Sequence, residues 1–147
     1  IRQYKKFVFK DKQSELGGDI CIADMIFLNG EKHIVFLNGD AMGKSMQGAG
    51  GALVFSSVFR SMISRASVDK HVSVSGADWL MNCFTELQNI FESFDGLMMV
   101  SATIGIIRED TGQMSYINAE HPFTILYRDG KADFLEAETE VRKVGTP

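Results

Sequence analysis

Asp19 and Asp40 are the residues of this 147-residue chain whose type and spacing point most directly to chemistry. They flank two apolar runs, residues 20–28 and 33–37, joined through Asn29-Gly30, a dipeptide that favours the two-residue turn of a β-hairpin. A two-residue turn fixes the register. If Leu28 pairs with Glu31, then Met25 pairs with Ile34, Ala23 with Phe36, Cys21 with Asn38 and Asp19 with Asp40. Directly opposed side chains have Cβ atoms about 5 Å apart, where like charges destabilise the pair. Two uses of such a pair remain: one acid is protonated, or a cation bridges them. Asp24 falls on the other face, opposite Val35, and is a poor partner for the same cation.

The other reactive side chains offer less. His121, in Asn118-Ala119-Glu120-His121-Pro122, follows a strand and precedes a proline, and reads as a turn or core residue rather than a catalyst. His33 faces Ile26 and His71 sits in a loop, so no zinc-ligand spacing exists. The acids instead suit a hard, oxygen-loving ion such as magnesium or manganese. Ser45, Ser56 and Ser57 lack a glycine elbow, and Cys21 and Cys83 lie in apolar periodic segments without a basic partner. An enzyme built this way takes its nucleophile from metal-activated water. The run Gly39-Asp40-Ala41-Met42-Gly43-Lys44-Ser45 approaches a phosphate loop but is one residue short of it and carries an acid that repels phosphate.

The elements that must position these residues follow from periodicity. Residues 4–10 alternate as a strand with Phe7 and Phe9 on one face, and residues 11–16 read as a polar connection. Gly17-Gly18 suggests a bend or a close backbone approach where Asp19 enters its strand. Both hairpin arms are apolar on both faces, which predicts strands buried between two layers. Residues 41–51, rich in glycine, predict a turn leading to a helix with apolar spacing at Ala52, Phe55, Phe59 and Met62. That helix start can pack closely on the strand ends, and its positive end suits an anion.

Residues 65–74 read as a loop, and Ser75-Gly76-Ala77-Asp78 has the form of a capping box. The stripe Leu80, Cys83, Phe84, Leu87, Ile90, Phe91 and Phe94 then predicts a second amphipathic helix, with Trp79 in the core. Strands are expected over residues 99–107, 114–118, 124–127 and 132–135, with turns at Asp110-Thr111-Gly112 and Asp129-Gly130. Strands, helices and strands again in blocks argue an α+β fold of antiparallel sheets with outer helices.

Composition narrows the classes of function. A net charge of −4 and a pI near 5.3 leave no electrostatic footprint for nucleic acid. The longest apolar-leaning run, residues 97–107, is interrupted by Ser101, Thr103 and Gly105 and is too short to cross a bilayer. No signal-peptide pattern opens the chain, and both cysteines read as reduced core thiols, so a cytoplasmic domain is expected. Residues 1–147 read as one domain, a piece of a longer protein whose sensor or membrane-anchoring parts lie outside it.

Gly17-Gly18-Asp19, Asn38-Gly39-Asp40-Ala41-Met42-Gly43-Lys44, residues 49–53 and Asn118-Ala119-Glu120-His121-Pro122 together resemble the SpoIIE-type (stage II sporulation protein E) branch of the metal-dependent PPM Ser/Thr protein phosphatases. The resemblance implies an α-β-β-α sandwich holding two manganese or magnesium ions at one end of the sheets. It implies hydrolysis of phosphoserine or phosphothreonine on a bacterial regulatory protein such as an anti-sigma-factor antagonist. By match, Asp19 is similar to the first family aspartate and Asp40 to the bridging one, while Ala41 occupies a position whose carbonyl binds the second metal. Three departures accompany the match: Ile22 stands where a second acid is usual, Glu120 where a glycine is usual, and the family's Thr-Asp-Gly segment with its further metal aspartate belongs beyond Pro147. Asp95-Gly96 comes too early to replace that segment. With the segment absent, a catalytically weak or inactive partner-binding domain on the same fold is the second reading, and nucleotide binding through Gly43-Lys44-Ser45 the third.

Overall fold

Asn29 and Gly30 take positive φ values of 53° and 75°, and the tight turn they make joins β3 (Asp19–Leu28) to β4 (Glu31–Ala41). The computed structural model describes residues 5–9, 11–43, 46–68, 73–138 and 140–147. Within β3 and β4 the register is the one the turn requires: Leu28 opposite Glu31, Met25 opposite Ile34, and Asp19 opposite Asp40. The hairpin continues into β5 (Val100–Arg108) and β6 (Met114–Ala119), giving an antiparallel four-stranded sheet in the order β3-β4-β5-β6.

Helices α1 (Met46–Val68) and α2 (Gly76–Glu92) cover one face of this sheet, α1 over β3 and β4 and α2 over β5 and β6. The strands present Ile22, Ile26, Val35, Leu37, Ile104 and Ile106 to them, all buried. The helices answer with Phe55, Phe59, Leu87 and Phe91, and the Phe55 and Phe91 rings meet edge to face at 5.3 Å. Each such side chain contributes about 1.5–3 kcal/mol by leaving water, so this seam is where most of the stability resides. The fold is α+β with antiparallel sheets and outer helices, as the blocks of periodicity require.

On the opposite face Met25, Phe27 and Ile34 remain exposed, so the two-sided burial expected of the hairpin arms is realised on one side among the described residues. Phe36 partly covers that face by lying on Gly105, where an added Cβ would come within 2.3 Å of its ring. The pairs β1 (Lys5–Phe9) with β2 (Lys12–Leu16) and β7 (Ile125–Arg128) with β8 (Lys131–Phe134) form separate two-stranded sheets.

Several local expectations are corrected. Residues 12–16 form β2 rather than a connection, because backbone pairing with β1 needs no apolar alternation. The glycine-rich run after Met46 is the start of α1 rather than a turn, since Gly48 and Gly51 let the helix lie against Ala41. Helix α1 also continues to Val68 and so takes in the first four residues of the expected loop; residues 69–72, with His71, lie outside the described residues, as do residues 1–4, Lys10, Lys44, Ser45 and Thr139. Ser75 caps α2 as expected, accepting from the Asp78 N–H at 3.1 Å. Val144 exchanges backbone hydrogen bonds with Val100, which docks the last residues beside β5. Among the described residues no helix is long and apolar enough to cross a membrane.

Candidate functional site

The open end of the β3–β4 hairpin bears a cavity of about 480 Å³ lined by Asp19, Asp40, Asn38, Ser101, Cys21 and His121, among others. Strand alternation explains the set. Asp19 and Cys21 on β3, Asn38 and Asp40 on β4, and Ser101 on β5 share the face away from the helices. Asp19 and Asp40 are opposed partners, both exposed to the cavity side, and no lysine or arginine lines it among the described residues. Asp24 lies across from Val35 on the other face, its carboxylate taken by the Met25 N–H.

His121 stands in the turn after β6, as its sequence context suggests, and from there its side chain enters this cavity. The ring Nε2 lies 3.1 Å from Asn38 Nδ2 and Nδ1 lies 3.3 Å from Ser101 Oγ. A donating Asn38 amide leaves Nε2 as acceptor and puts the proton on Nδ1, facing the hydroxyl. Burial pushes the His121 imidazole below its ordinary pKa, partly opposed by the charge of Asp40 and a hydrogen bond to the Ser101 backbone. A neutral ring results, with both nitrogens engaged. Single-residue reasoning missed it because β6 ends at Ala119 and only the sheet order brings the following residues back across β5 to β4.

Cys21 also departs from expectation: it is exposed on the cavity face, whereas Cys83 is buried as a core thiol should be. The alternation of an edge strand puts Cys21 on the uncovered side.

The family model of stage II sporulation protein E (SpoIIE) matches residues 30–146. The chain belongs to the SpoIIE family. No curated protein matches it. Among solved structures, the crystal structure of the RsbU and RsbW domains of Rv1364c from Mycobacterium tuberculosis superposes with a TM-score of 0.60 at 20% identity, covering 88% of this chain and 33% of that one. This chain thus spans about a third of that neighbour's length, and the likeness is one of fold.

The SpoIIE match begins after Asp19, so Asp40 and His121 lie inside it while Asp19 stands on the register. Gly18 and Gly48 crowd the Ala41 carbonyl: a Cβ on Gly18 would stand 2.7 Å from it and one on Gly48 3.2 Å. Ala41 itself is buried and is not among the residues that line the cavity. Its N–H donates to the Gly18 carbonyl at 3.0 Å, which binds the Gly17-Gly18 bend to the end of β4. Glu120 has φ 46°, in the left-handed region where a side chain is disfavoured and glycine is favoured.

The donor set bears on the expected metals. Asp19 and Asp40 offer oxygen alone to the cavity, which suits a hard divalent ion, whereas the carbonyl expected as a further donor belongs to Ala41, outside the cavity lining. Among the described residues no group of three or more His, Cys, Asp or Glu side chains is gathered for a metal. Most of the coordination of two ions would therefore fall to water or to further residues.

Proposed function

We propose that this chain is the catalytic segment of a metal-dependent serine/threonine protein phosphatase, acting on a phosphorylated bacterial regulatory protein such as an anti-sigma-factor antagonist. The observation that carries the reading is the direct opposition of Asp19 and Asp40 in a cavity with Asn38, Ser101 and His121. Two facing carboxylates with no lysine or arginine among the described lining residues are a poor anion site and a good seat for a divalent cation. Family membership supports the same reading.

Asp19 and Asp40 would hold manganese or magnesium, with the Ala41 carbonyl at the neighbouring position. When bound, such ions supply Lewis acidity and lower the pKa of water. The chain's own side chains do the rest. Asn38 Nδ2 and Ser101 Oγ are polar groups of the cavity wall through which a phosphoryl oxygen would be oriented, and neutral His121 holds both.

A second reading, a partner-binding domain with little turnover, is favoured by the absence of a third clustered ligand among the described residues. One experiment separates the two. Manganese binding is measured by calorimetry on this chain and on Asp19→Asn and Asp40→Asn, together with hydrolysis of a phosphoserine peptide. Binding lost in both variants, with hydrolysis in this or a longer chain, supports the phosphatase. Manganese binding absent in both lengths sinks it and leaves the partner-binding domain.

A further inference from the structure

Glu136 belongs to none of the motifs, yet its carboxylate spans the connection that carries His121. Asn118 Nδ2 donates to Oε1 at 2.8 Å, the Thr124 N–H donates to Oε2 at 2.9 Å, and Thr124 Oγ1 donates to Oε1 at 3.1 Å. Asn118 lies near the end of β6 and Thr124 directly precedes β7, so one side chain ties both ends of residues 119–123. The buried Asn118 amide is used twice, because its Oδ1 accepts from the His121 N–H at 2.8 Å.

That connection needs holding. It contains Glu120 at φ 46°, and a residue kept in a disfavoured region persists only when its surroundings over-determine it. Burial pushes the Glu136 carboxyl upward, but the bonds from Asn118 and Thr124 outweigh this and keep it below its ordinary pKa, so it is a charged acceptor at neutral pH. Charged acceptors make the stronger hydrogen bonds.

We propose that Glu136 is a positioning residue for the cavity: by fixing Asn118 and Thr124 it sets the backbone at His121, and through it the ring that meets Asn38 and Ser101 beside Asp40. The placement of the ring stands independently of catalysis; its kinetic consequence rests on the phosphatase reading above. The competing role is a plain cap on the β7–β8 hairpin, since Leu135 N–H also donates to the Thr124 carbonyl there. A cap would change stability without changing the imidazole.

The test is nitrogen-15 NMR of the histidine side chains at mildly alkaline pH, on the unaltered chain, on Glu136→Gln and on Thr124→Val. Gln keeps the shape but turns a donor toward the Thr124 N–H, and Val removes only the hydroxyl. His121 is expected to show the Nδ1–H tautomer in the unaltered chain. In Glu136→Gln its two nitrogen shifts should move toward the averaged values of a free imidazole, and in Thr124→Val they should move less, in the same direction. Thr124→Val alone gives the reading if Glu136→Gln does not fold. Arg65→Ala, which removes the exposed pair with Glu86 far from the cavity, serves as the control for general loosening. Unchanged His121 shifts in the folded Glu136 and Thr124 variants, or equal movement in the control, would overturn the proposal.

On a phosphoserine peptide with manganese, kcat should fall about 10- to 100-fold in Glu136→Gln with KM within about 2-fold. If the shifts move but no chain hydrolyses the peptide, positioning holds and the phosphatase reading fails. If hydrolysis is present and the shifts stay, the reverse is true.

Discussion

Glu120 takes a left-handed backbone conformation while its carboxylate is paired with Lys143, which the docked C-terminal residues bring alongside. The backbone strain and the ion pair oppose one another. The left-handed region costs a side chain about 1–2 kcal/mol, and an exposed pair returns about 0–1 kcal/mol. Glu120→Ala keeps the strain and loses the pair, whereas Glu120→Gly loses both. Denaturant titration should therefore find Glu120→Gly more stable than Glu120→Ala by about 1 kcal/mol, the reverse of the order in a helix. Equal midpoints would mean that the turn relaxes around alanine.

Gly18 sets a second expectation. A Cβ there would stand 2.7 Å from the Ala41 carbonyl and 3.3 Å from Asp40 Oδ1, both on the end of β4. Gly18→Ala should cost about 1–3 kcal/mol by overpacking and weaken manganese binding by displacing Asp40. Gly96→Ala, where the added Cβ meets nothing within 4 Å, should cost stability through its positive φ alone and leave manganese binding intact. Calorimetry on the two variants distinguishes a packed site from general loosening.

Charge at the paired acids gives the third. With no metal present, Asp19→Asn or Asp40→Asn removes a like-charge opposition and should raise the unfolding midpoint slightly, by about 0.2–1 kcal/mol. Added manganese should then reverse the ranking, because only the unaltered chain gains stability through binding. A loss of stability in both variants without metal would mean that the carboxylates make native contacts other than the one opposition.

The thiols should react differently. Burial, with the nearby charge of Glu86 adding to it and Arg65 opposing it, pushes the Cys83 thiol up to about 12, and the residue is buried against α1. Cys21 is exposed at the cavity. Iodoacetamide followed by mass spectrometry should label Cys21 in the native chain and Cys83 only in denaturant. Rapid native labelling of Cys83 would mean that the α1–α2 seam opens readily.

Acid dependence supplies the last. Glu136 has its pKa depressed in the folded chain, so its contribution is full above the unfolded-state value and is lost as pH falls through the folded one. Stability measured against pH should decline on the acid side in the unaltered chain. In Glu136→Gln that decline should be shallower. An identical acid limb in both would show that the carboxylate is not differentially stabilised by folding.

Local chemistry made much of this chain legible. Asn29-Gly30 determined a tight turn, a tight turn determined the register, and the register alone placed Asp19 against Asp40 and turned Asp24 away. Ser75 and the stripe from Leu80 likewise determined α2, because capping and helical period act within a few residues. The motifs around Asp40 and His121 sufficed to indicate the SpoIIE family.

What the sequence did not determine depends on contacts across the chain. His121 reads as a turn residue until the order β3-β4-β5-β6 carries the segment after β6 over Ser101 and Asn38. Glu136 carries no motif, and its role exists only because residues 12 and 18 positions away in sequence converge on one carboxylate. The glycines after Met46 look like part of a flexible turn in isolation, and tertiary packing makes them the start of a helix by seating Gly48 and Gly51 on Ala41, while Gly43 keeps a turn conformation at φ 117°. Periodicity and turn chemistry are written in neighbouring residues, whereas a site assembled from three strands and two connections is fixed by which surfaces the core brings together.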